Sequence, residues 1–416
     1  MTVEEVIADI GRAARHASAV LAATSSERKA SALRDTAAAI RERSQAILDA
    51  NAEDLARVDN AGISAVMRDR LALNEERISG MAAGLEQVAA LPDPVGSVFD
   101  RHERPNGLML QRISVPLGVI GIIYESRPNV TIDAGGLAVM SGNAVILRGG
   151  SEALATNRVL RETFSDALAR NGLPREAVQL VPTSDRAAVG AMLRARDWID
   201  VIIPRGGRGL VERVQDEARI PVLAHRDGIN HCYVHHAADP AKAAAIVVNS
   251  KMRRTFVCGS TETVLFDRDY PHIAQVVASL LDAGCEIRGD AATQSIDPRV
   301  IPAAPQDWDT EHLNAICTMG VVDGVDDAVR HIGLHGSGHT EAIITEDHDA
   351  AKAFLSRVDS AIVIWNASTQ FADGGEFGLG AEIGISTGRL HARGPVGLEG
   401  LTTYKWQVIG SGQIRP

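Results

Sequence analysis

The feature that most limits the fold is an alternation of short apolar runs with helical segments, beginning at Val119. Residues 119–123 are apolar throughout, 132–140 have helical character, and 144–147 are apolar again. Further strands are expected at 178–181, 201–203 and 221–223, with helices between them. Unbroken apolar runs of this length suit strands covered on both faces, as in a parallel sheet between helices. Asn171-Gly172-Leu173-Pro174 supplies a helix stop before residue 178. Ligands of such sheets sit beyond the carboxyl ends of the strands. The loops to inspect are therefore 124–129, 148–151, 182–186 and 204–209.

Two of those loops suit anions. Arg148-Gly149-Gly150-Ser151 and Pro204-Arg205-Gly206-Gly207-Arg208-Gly209 place glycines, arginines and a hydroxyl where a helix begins. Either loop alone is explained equally well by glycines that permit a tight turn. Together, after successive strands, they favour a dinucleotide, with Arg148, Gly149, Ser184, Arg205, Gly206 and Gly207 as candidate contacts. No GxGxxG follows a strand, so the usual dinucleotide fingerprint is absent.

The flanking segments read more simply. At 416 residues the chain exceeds one ordinary core, so two or three domains are expected. Residues 1 to about 90 read as amphipathic helices. Ser25 and Ser26 are placed to cap one that continues through Ala30, Leu33, Ala37, Ile40 and Ile47, with Asn51 and Asn60-Ala61-Gly62 as punctuation. After a break at 91–94, segments 98–102 and 108–115 flank Arg104-Pro105-Asn106-Gly107, a hairpin signal. A hairpin edge needs a partner, so the element at about 96–116 is read as an oligomer contact. A second unit begins at about 225, with strands at 232–234 and 263–266 and helices at 241–249 and 272–283. Residues 391–408 look extended again, and Tyr404-Lys405-Trp406 suits an added edge strand. The expected domains are 1–224, 225–390 and a tail of 391–416.

Composition excludes several classes. A formal net charge of −11 with no long basic face argues against nucleic-acid binding. Four cysteines with no CxxC fit a reducing compartment. No signal-peptide pattern and no apolar run of spanning length is present, so the plain expectation is a soluble, cytoplasmic protein.

One stretch carries nucleophile chemistry. Lys251-Met252-Arg253-Arg254-Thr255-Phe256-Val257-Cys258-Gly259 sets a thiol after three cations, and nearby cations favour the reactive thiolate. The competing reading is a small buried hydrophobe, which is how Cys232, Cys285 and Cys317 are read. No metal site is expected. His335 and His339 are four apart, but Gly336 and Gly338 oppose a helix between them, and His231, His235 and His236 read as surface or packing residues.

The run Pro116-Leu117-Gly118-Val119-Ile120-Gly121-Ile122-Ile123-Tyr124-Glu125-Ser126-Arg127-Pro128-Asn129 resembles the nucleotide-side motif of the aldehyde dehydrogenase superfamily. Gly142 to Ala153 and a signature spanning Val322 to Ile343, with Gly336-Ser337-Gly338-His339-Thr340-Glu341, narrow the resemblance to its gamma-glutamyl phosphate reductase (glutamate-5-semialdehyde dehydrogenase) branch. The likeness covers nearly the whole chain. It implies an α/β fold of two Rossmann-like parallel-sheet domains plus a β-hairpin oligomerisation element. It also implies NADP(H), L-glutamyl 5-phosphate as substrate, a homo-oligomer (a dimer or a dimer of dimers), and glutamate 5-kinase as a functional partner.

Residue by residue, the resemblance makes Cys258 the nucleophile and Asn129 the amide of the oxyanion hole. Arg148 falls where relatives hold the adenosine ribose, and an arginine there suits a 2′-phosphate. Glu311 falls at the nicotinamide ribose, although His312-Leu313-Asn314 depart from the general motif. Lys251, Arg253, Arg254 and Arg127 are candidates for the leaving phosphate, with Ser126 and His225 as further substrate contacts. Where hydrolytic relatives carry Glu-Leu-Gly-Gly, this chain has His225-Arg226-Asp227-Gly228, with no glutamate to activate water. Phe256 departs from the smaller residue expected two before the nucleophile. The competing functions are an oxidising dehydrogenase of another acidic semialdehyde and a catalytically silent subunit of the same fold.

Overall fold

The computed structural model describes residues 1–59 and 65–415, so Asn60-Ala61-Gly62 lies outside the described residues. The chain divides into unit 1, Met1–Ala224, Gly378–Gly384 and Val396–Pro416, and unit 2, His225–Phe377 and Ile385–Pro395. The segment 391–416, expected as a tail, falls partly in each unit. Residues up to Pro395 belong to unit 2, and the remainder joins unit 1 as a strand of its small sheet.

Unit 1 opens with α1 (Val3–Ala22), α2 (Ser26–Glu42), α3 (Ser44–Asp59), α4 (Ala65–Leu71) and α5 (Glu75–Ala90). Thr2 and Glu5 form a capping box that satisfies two N-terminal donors of α1. The single helix expected from Ser25 through Ile47 is two helices, because Arg43 ends α2 and Ser44 starts α3. Asn51 is no punctuation mark. It lies buried within α3, donates to the Leu71 carbonyl at 3.0 Å and accepts from the Leu73 N–H at 2.8 Å.

The hairpin forms from β1 (Val98–Glu103) and β2 (Met109–Pro116). Gly107 supplies the left-handed residue of its turn, at φ 82°. Next come β3 (Val119–Tyr124), α6 (Asn129–Met140), β4 (Ala144–Arg148), α7 (Leu154–Arg170), β5 (Val178–Leu180), α8 (Ala187–Arg194), β6 (Val201–Arg205) and α9 (Arg208–Glu217). The four strands are parallel, in the order β5-β4-β3-β6. Every residue of β3 and β4 is buried, which is why both read as unbroken apolar runs. The strand expected at 221–223 reduces to one parallel bridge between Val222 and Ile202. The order reverses between β3 and β6, so the loops after these two strands flank the switch point.

Unit 2 holds β7 (Asn230–Val234), α10 (Pro240–Met252), β8 (Thr261–Asp267), α11 (Ile273–Asp282), β9 (Glu286–Gly289), α12 (Ala291–Gln294), β10 (Ile301–Pro302), β11 (Ile316–Val322), α13 (Gly324–His335), β12 (Thr340–Ile344), α14 (His348–Arg357) and β13 (Ile362–Trp365). These strands make a seven-stranded parallel sheet in the order β10-β9-β11-β8-β7-β12-β13. One face packs Cys232, Val264, Phe266, Ile287, Cys317 and Met319 against α10 and α11; the other packs Tyr233, Leu265 and Ile343 against α13 and α14. β14 (Ile385–Ser386) and β15 (Gly394–Pro395) close a short antiparallel pair.

The chain then returns to unit 1 as β16 (Thr402–Ile409), antiparallel to β2, so β2 lies between β1 and β16. Arg112 of β2 stacks its guanidinium over Phe99, Tyr404 and Trp406, with the Tyr404 ring at 4.9 Å. Among the described residues no helix is long and apolar enough to cross a membrane.

Candidate active site

Cys258 lies in the loop between α10 and β8 and is half-buried, whereas Cys232, Cys285 and Cys317 are buried. Burial pushes the thiols of Cys232 and Cys285 up to about 11 and about 12, and that of Cys317 well above its usual value. Those three are packing atoms; Cys258 alone of the four is placed for chemistry.

The backbone of the Cys258 loop is fixed from the first residue of β7. The Asn230 amide donates to the carbonyls of Cys258 and Ser260, at 2.6 and 2.8 Å, and accepts from the Thr340 N–H at 3.1 Å. Gly228 makes this approach possible. A Cβ there would stand 2.3 Å from the Cys258 carbonyl oxygen and 2.9 Å from a Glu311 carboxylate oxygen. The run Gly336–Glu341 is the counterpart of the same strand start. Ser337 Oγ accepts from the Ile229 N–H, and the buried Glu341 carboxylate accepts from the His231 N–H and lies 3.0 Å from His231 Nδ1.

Two imidazoles flank the thiol. One ring nitrogen each of His225 and His339 and the Cys258 Sγ all lie within 4.8 Å of one another. The rings meet edge to face, centroids 4.9 Å apart. His225 Nδ1 is 2.8 Å from the Ile385 carbonyl oxygen, which only accepts. Nδ1 must therefore carry the proton, leaving Nε2 as the basic nitrogen. His339 is fully buried, with Nδ1 at 2.8 Å from Thr340 Oγ1. Burial, reinforced by His225, pushes it down to about 3, so it is neutral at ordinary pH. At the level of sequence His339 stands in the Gly336–Glu341 signature and in a rejected zinc pair without a role of its own, and Asn230 carries no role at all. The signal available for both was their place at the starts of β7 and β12, strands that pair side by side in the sheet.

The cations before Cys258 divide into two kinds. Lys251, expected as a phosphate contact, is corrected: it is fully buried, with Nζ 2.6 Å from the Glu262 carboxylate. Desolvation raises Glu262 to about 7 against the opposing charge of Lys251, with Glu311 adding to the rise. Arg253 and Arg254 are exposed, and Gln370 ties their segment down by donating to the carbonyls of Ser250 and Arg254, at 2.9 and 3.2 Å. Phe256 projects outward at 60% exposure.

In unit 1, the candidate cofactor residues collect at the carboxyl ends of β4 and β6. Arg148 is buried and donates to the carbonyls of Gly149 and Ser184, at 2.9 and 3.0 Å, leaving its Nε without a partner. Burial lowers its pKa, and the positive charges of Arg186 and Arg213 add to that effect. Arg205 ends β6, and Gly206 and Gly207 lead exposed into α9. The Gly207 N–H donates to Glu125 at 3.1 Å, while no atom lies within 4 Å of where a Gly207 or Gly209 Cβ would stand. An orphaned guanidinium nitrogen, nearby arginines and open glycines at a helix start fit a phosphorylated dinucleotide.

Asn129 begins α6, exposed, and its amide donates to Asp133 one turn on at 2.9 Å. Ser126 is buried at φ 42° and donates through both N–H and Oγ to Glu152, at 2.7 and 2.8 Å, so its hydroxyl is committed to the loop. Arg127 is half-buried two residues before Asn129.

Comparison with known proteins places this geometry. The sequence profile described as "Aldehyde dehydrogenase family" matches residues 1–288. A gamma-glutamyl phosphate reductase of Rhizorhabdus wittichii is 64% identical over 411 residues, covering 99% of this chain and 96% of that protein. One of Zymomonas mobilis is 60% identical over 417 residues, covering 100% and 97%. The crystal structure of gamma-glutamyl phosphate reductase from Thermotoga maritima superposes with a TM-score of 0.96 at 42% identity, covering 99% of this chain and 100% of that one.

Proposed function

Because the chain belongs to the aldehyde dehydrogenase family, we propose that it reduces L-glutamyl 5-phosphate to L-glutamate 5-semialdehyde and phosphate, with NADPH, in proline biosynthesis from glutamate. The observation that carries this reading is the half-exposed thiol of Cys258 between the imidazoles of His225 and His339.

The thiol proton passes to Nε2 of His225, whose tautomer is set by the Ile385 carbonyl. His339, held neutral, keeps positive charge from building up in the buried wall of the site. The Cys258 thiolate then attacks the acyl carbon, the carbon–oxygen bond to phosphate breaks, and a thioester forms on Cys258. Asn129 carries the amide for the oxyanion, with the Cys258 N–H as second donor, each worth about 3 kcal/mol. Arg127, Arg253 and Arg254 are the cations for the departing phosphate. Arg148, Gly149, Ser184, Arg205, Gly206, Gly207 and Glu311 are the residues that would hold NADPH, which supplies hydride when bound. With no glutamate at residues 225–228, water is not activated against the thioester. β16 and β1 leave exposed Tyr404, Trp406, Val408 and Phe99 on the small sheet's edges, which supports a homo-oligomer built through it. Glutamate 5-kinase is the enzyme whose product the reaction consumes.

The test is NADP⁺ reduction with L-glutamate 5-semialdehyde, with and without inorganic phosphate, for wild type and Cys258→Ala. Turnover that requires phosphate and disappears in the variant supports the proposal. Equal turnover without phosphate points to a hydrolytic dehydrogenase of an acidic semialdehyde, and none at all to a silent subunit.

A further inference from the structure

We propose that unit 2 binds a divalent transition-metal ion of the Zn²⁺ class at the carboxyl ends of β7 and β8, through His235, His236 and Asp267.

The position is at the carboxyl ends of the strands, the side on which parallel sheets place ligands. The chain leaves β7 for β8 on one side, while β12 lies on the other, so the strand order reverses between β7 and β12, and the site borders that reversal on the β8 side. Crevices of this kind open beyond the carboxyl ends of the strands. His235 and His236 directly follow Val234, the last residue of β7, and Asp267 is the last residue of β8.

The donor set has metal spacing. One ring nitrogen of each histidine and an Asp267 oxygen all lie within 4.8 Å of one another. His236 Nδ1 stands 3.4 Å, and His235 Nε2 3.9 Å, from Asp267 Oδ2. Ligands about 2.0–2.2 Å from a tetrahedral zinc ion stand about 3.3–3.5 Å apart, so small side-chain movements close the set. At 3.9 Å the His235 contact is too long for a hydrogen bond. His236 Nδ1 hydrogen-bonds to the same carboxylate oxygen at 3.4 Å, and the two imidazole rings lie 3.9 Å apart, so all three side chains converge on one point.

The surroundings orient these donors. His235 turns its other nitrogen to Thr345 Oγ1 at 2.9 Å, which orients the ring and leaves Nε2 toward Asp267. Asp267 accepts from the Tyr233 hydroxyl at 2.7 Å and the Asp269 N–H at 3.1 Å, which fixes the carboxylate. Asp347 adds negative charge nearby, and His236, 52% exposed, provides the entry. The site is separate from the thiol centre. Asn230, which holds the Cys258 loop, is at the other end of β7, about 16 Å away along the strand.

The test must keep the Cys258, His225 and His339 cluster from taking the ion, so Cys258→Ala is the parent protein. The chelator-stripped parent is titrated with Co²⁺ and Zn²⁺, following Co²⁺ absorption and bound metal after gel filtration. One ion per chain is expected, with affinity weakened about tenfold or more by adding His236→Ala. Because His236 is exposed, that variant should keep the parent's metal-free melting temperature. Asp267→Asn should also abolish binding, but it disturbs Tyr233 and so serves only as a second reading. Failure of the parent to bind, or equal binding with and without His236→Ala, would overturn the proposal.

Discussion

The amide of Asn230 donates to the carbonyl oxygen of Cys258 at 2.6 Å, so the first residue of β7 holds the backbone of the thiol-bearing loop. The same side chain serves the Ser260 carbonyl and the Thr340 N–H, joining the starts of β7, β8 and β12.

Asn230→Ala leaves three backbone groups without their partner in a buried site. A loss of about 1–3 kcal/mol is expected for a buried group left unsatisfied. Loosening the loop misplaces the sulfur, so kcat should fall about 10- to 100-fold with a smaller change in KM. Urea midpoints and steady-state kinetics check both. A variant as active as wild type would show that the loop needs no such anchor.

Thiol exposure predicts selective labelling. Cys258 is half-buried, while burial raises the other three thiols far from their thiolate range. Under native conditions iodoacetamide should add one group per chain, at Cys258, with loss of activity in step. After denaturation all four cysteines should react. Intact-mass measurement decides this, and native labelling that persists in Cys258→Ala would count against the assignment.

Much of the scaffold was legible because burial on two faces leaves a mark in composition. β3 and β4 are covered on both sides, and residues 119–123 and 144–147 within them are apolar without interruption. The split between α2 and α3 was invisible, because the apolar period continues from Ile40 to Ile47 across the cap at Arg43. Asn51 and Lys251 misled for a shared reason: residue type suggested a turn and a solvated cation, but tertiary partners bury both. His339 was obscured because a sequence shows spacing to His335 and not depth. Its chemistry comes from burial beside His225.

Asp133 makes a pH-dependent contribution with a definite sign. Desolvation raises it to about 6, opposed by the Asn129 amide and the charge of Arg205. The folded state therefore holds the proton more tightly than the unfolded chain does. This stabilising contribution is complete below about pH 4 and is lost as pH rises through about 6. Asp133→Asn should remove that fall and be more stable than wild type above pH 6, as urea midpoints across the range would show. Because Asp133 also orients Asn129, the same variant should lose kcat. Unchanged pH dependence of stability would show that the carboxylate is not desolvated.

Lys251 and Glu262 close the base of the Cys258 loop, one at the end of α10 and the other early in β8. Both are buried, and desolvation is the largest influence on Glu262, partly offset by Lys251. Lys251→Met removes the compensating charge and should destabilise the fold by about 3–5 kcal/mol. It should also push Glu262 still higher, so that much of the loss is recovered at acidic pH, where the carboxyl is neutral. Lys251→Met combined with Glu262→Leu exchanges the pair for apolar atoms and should restore most of the stability. Activity separates the two possible uses of the pair. If the double variant is stable and fully active, the ion pair only fills the interior. If it is stable but has lost kcat, the pair sets the path of the loop and through it the position of the thiol.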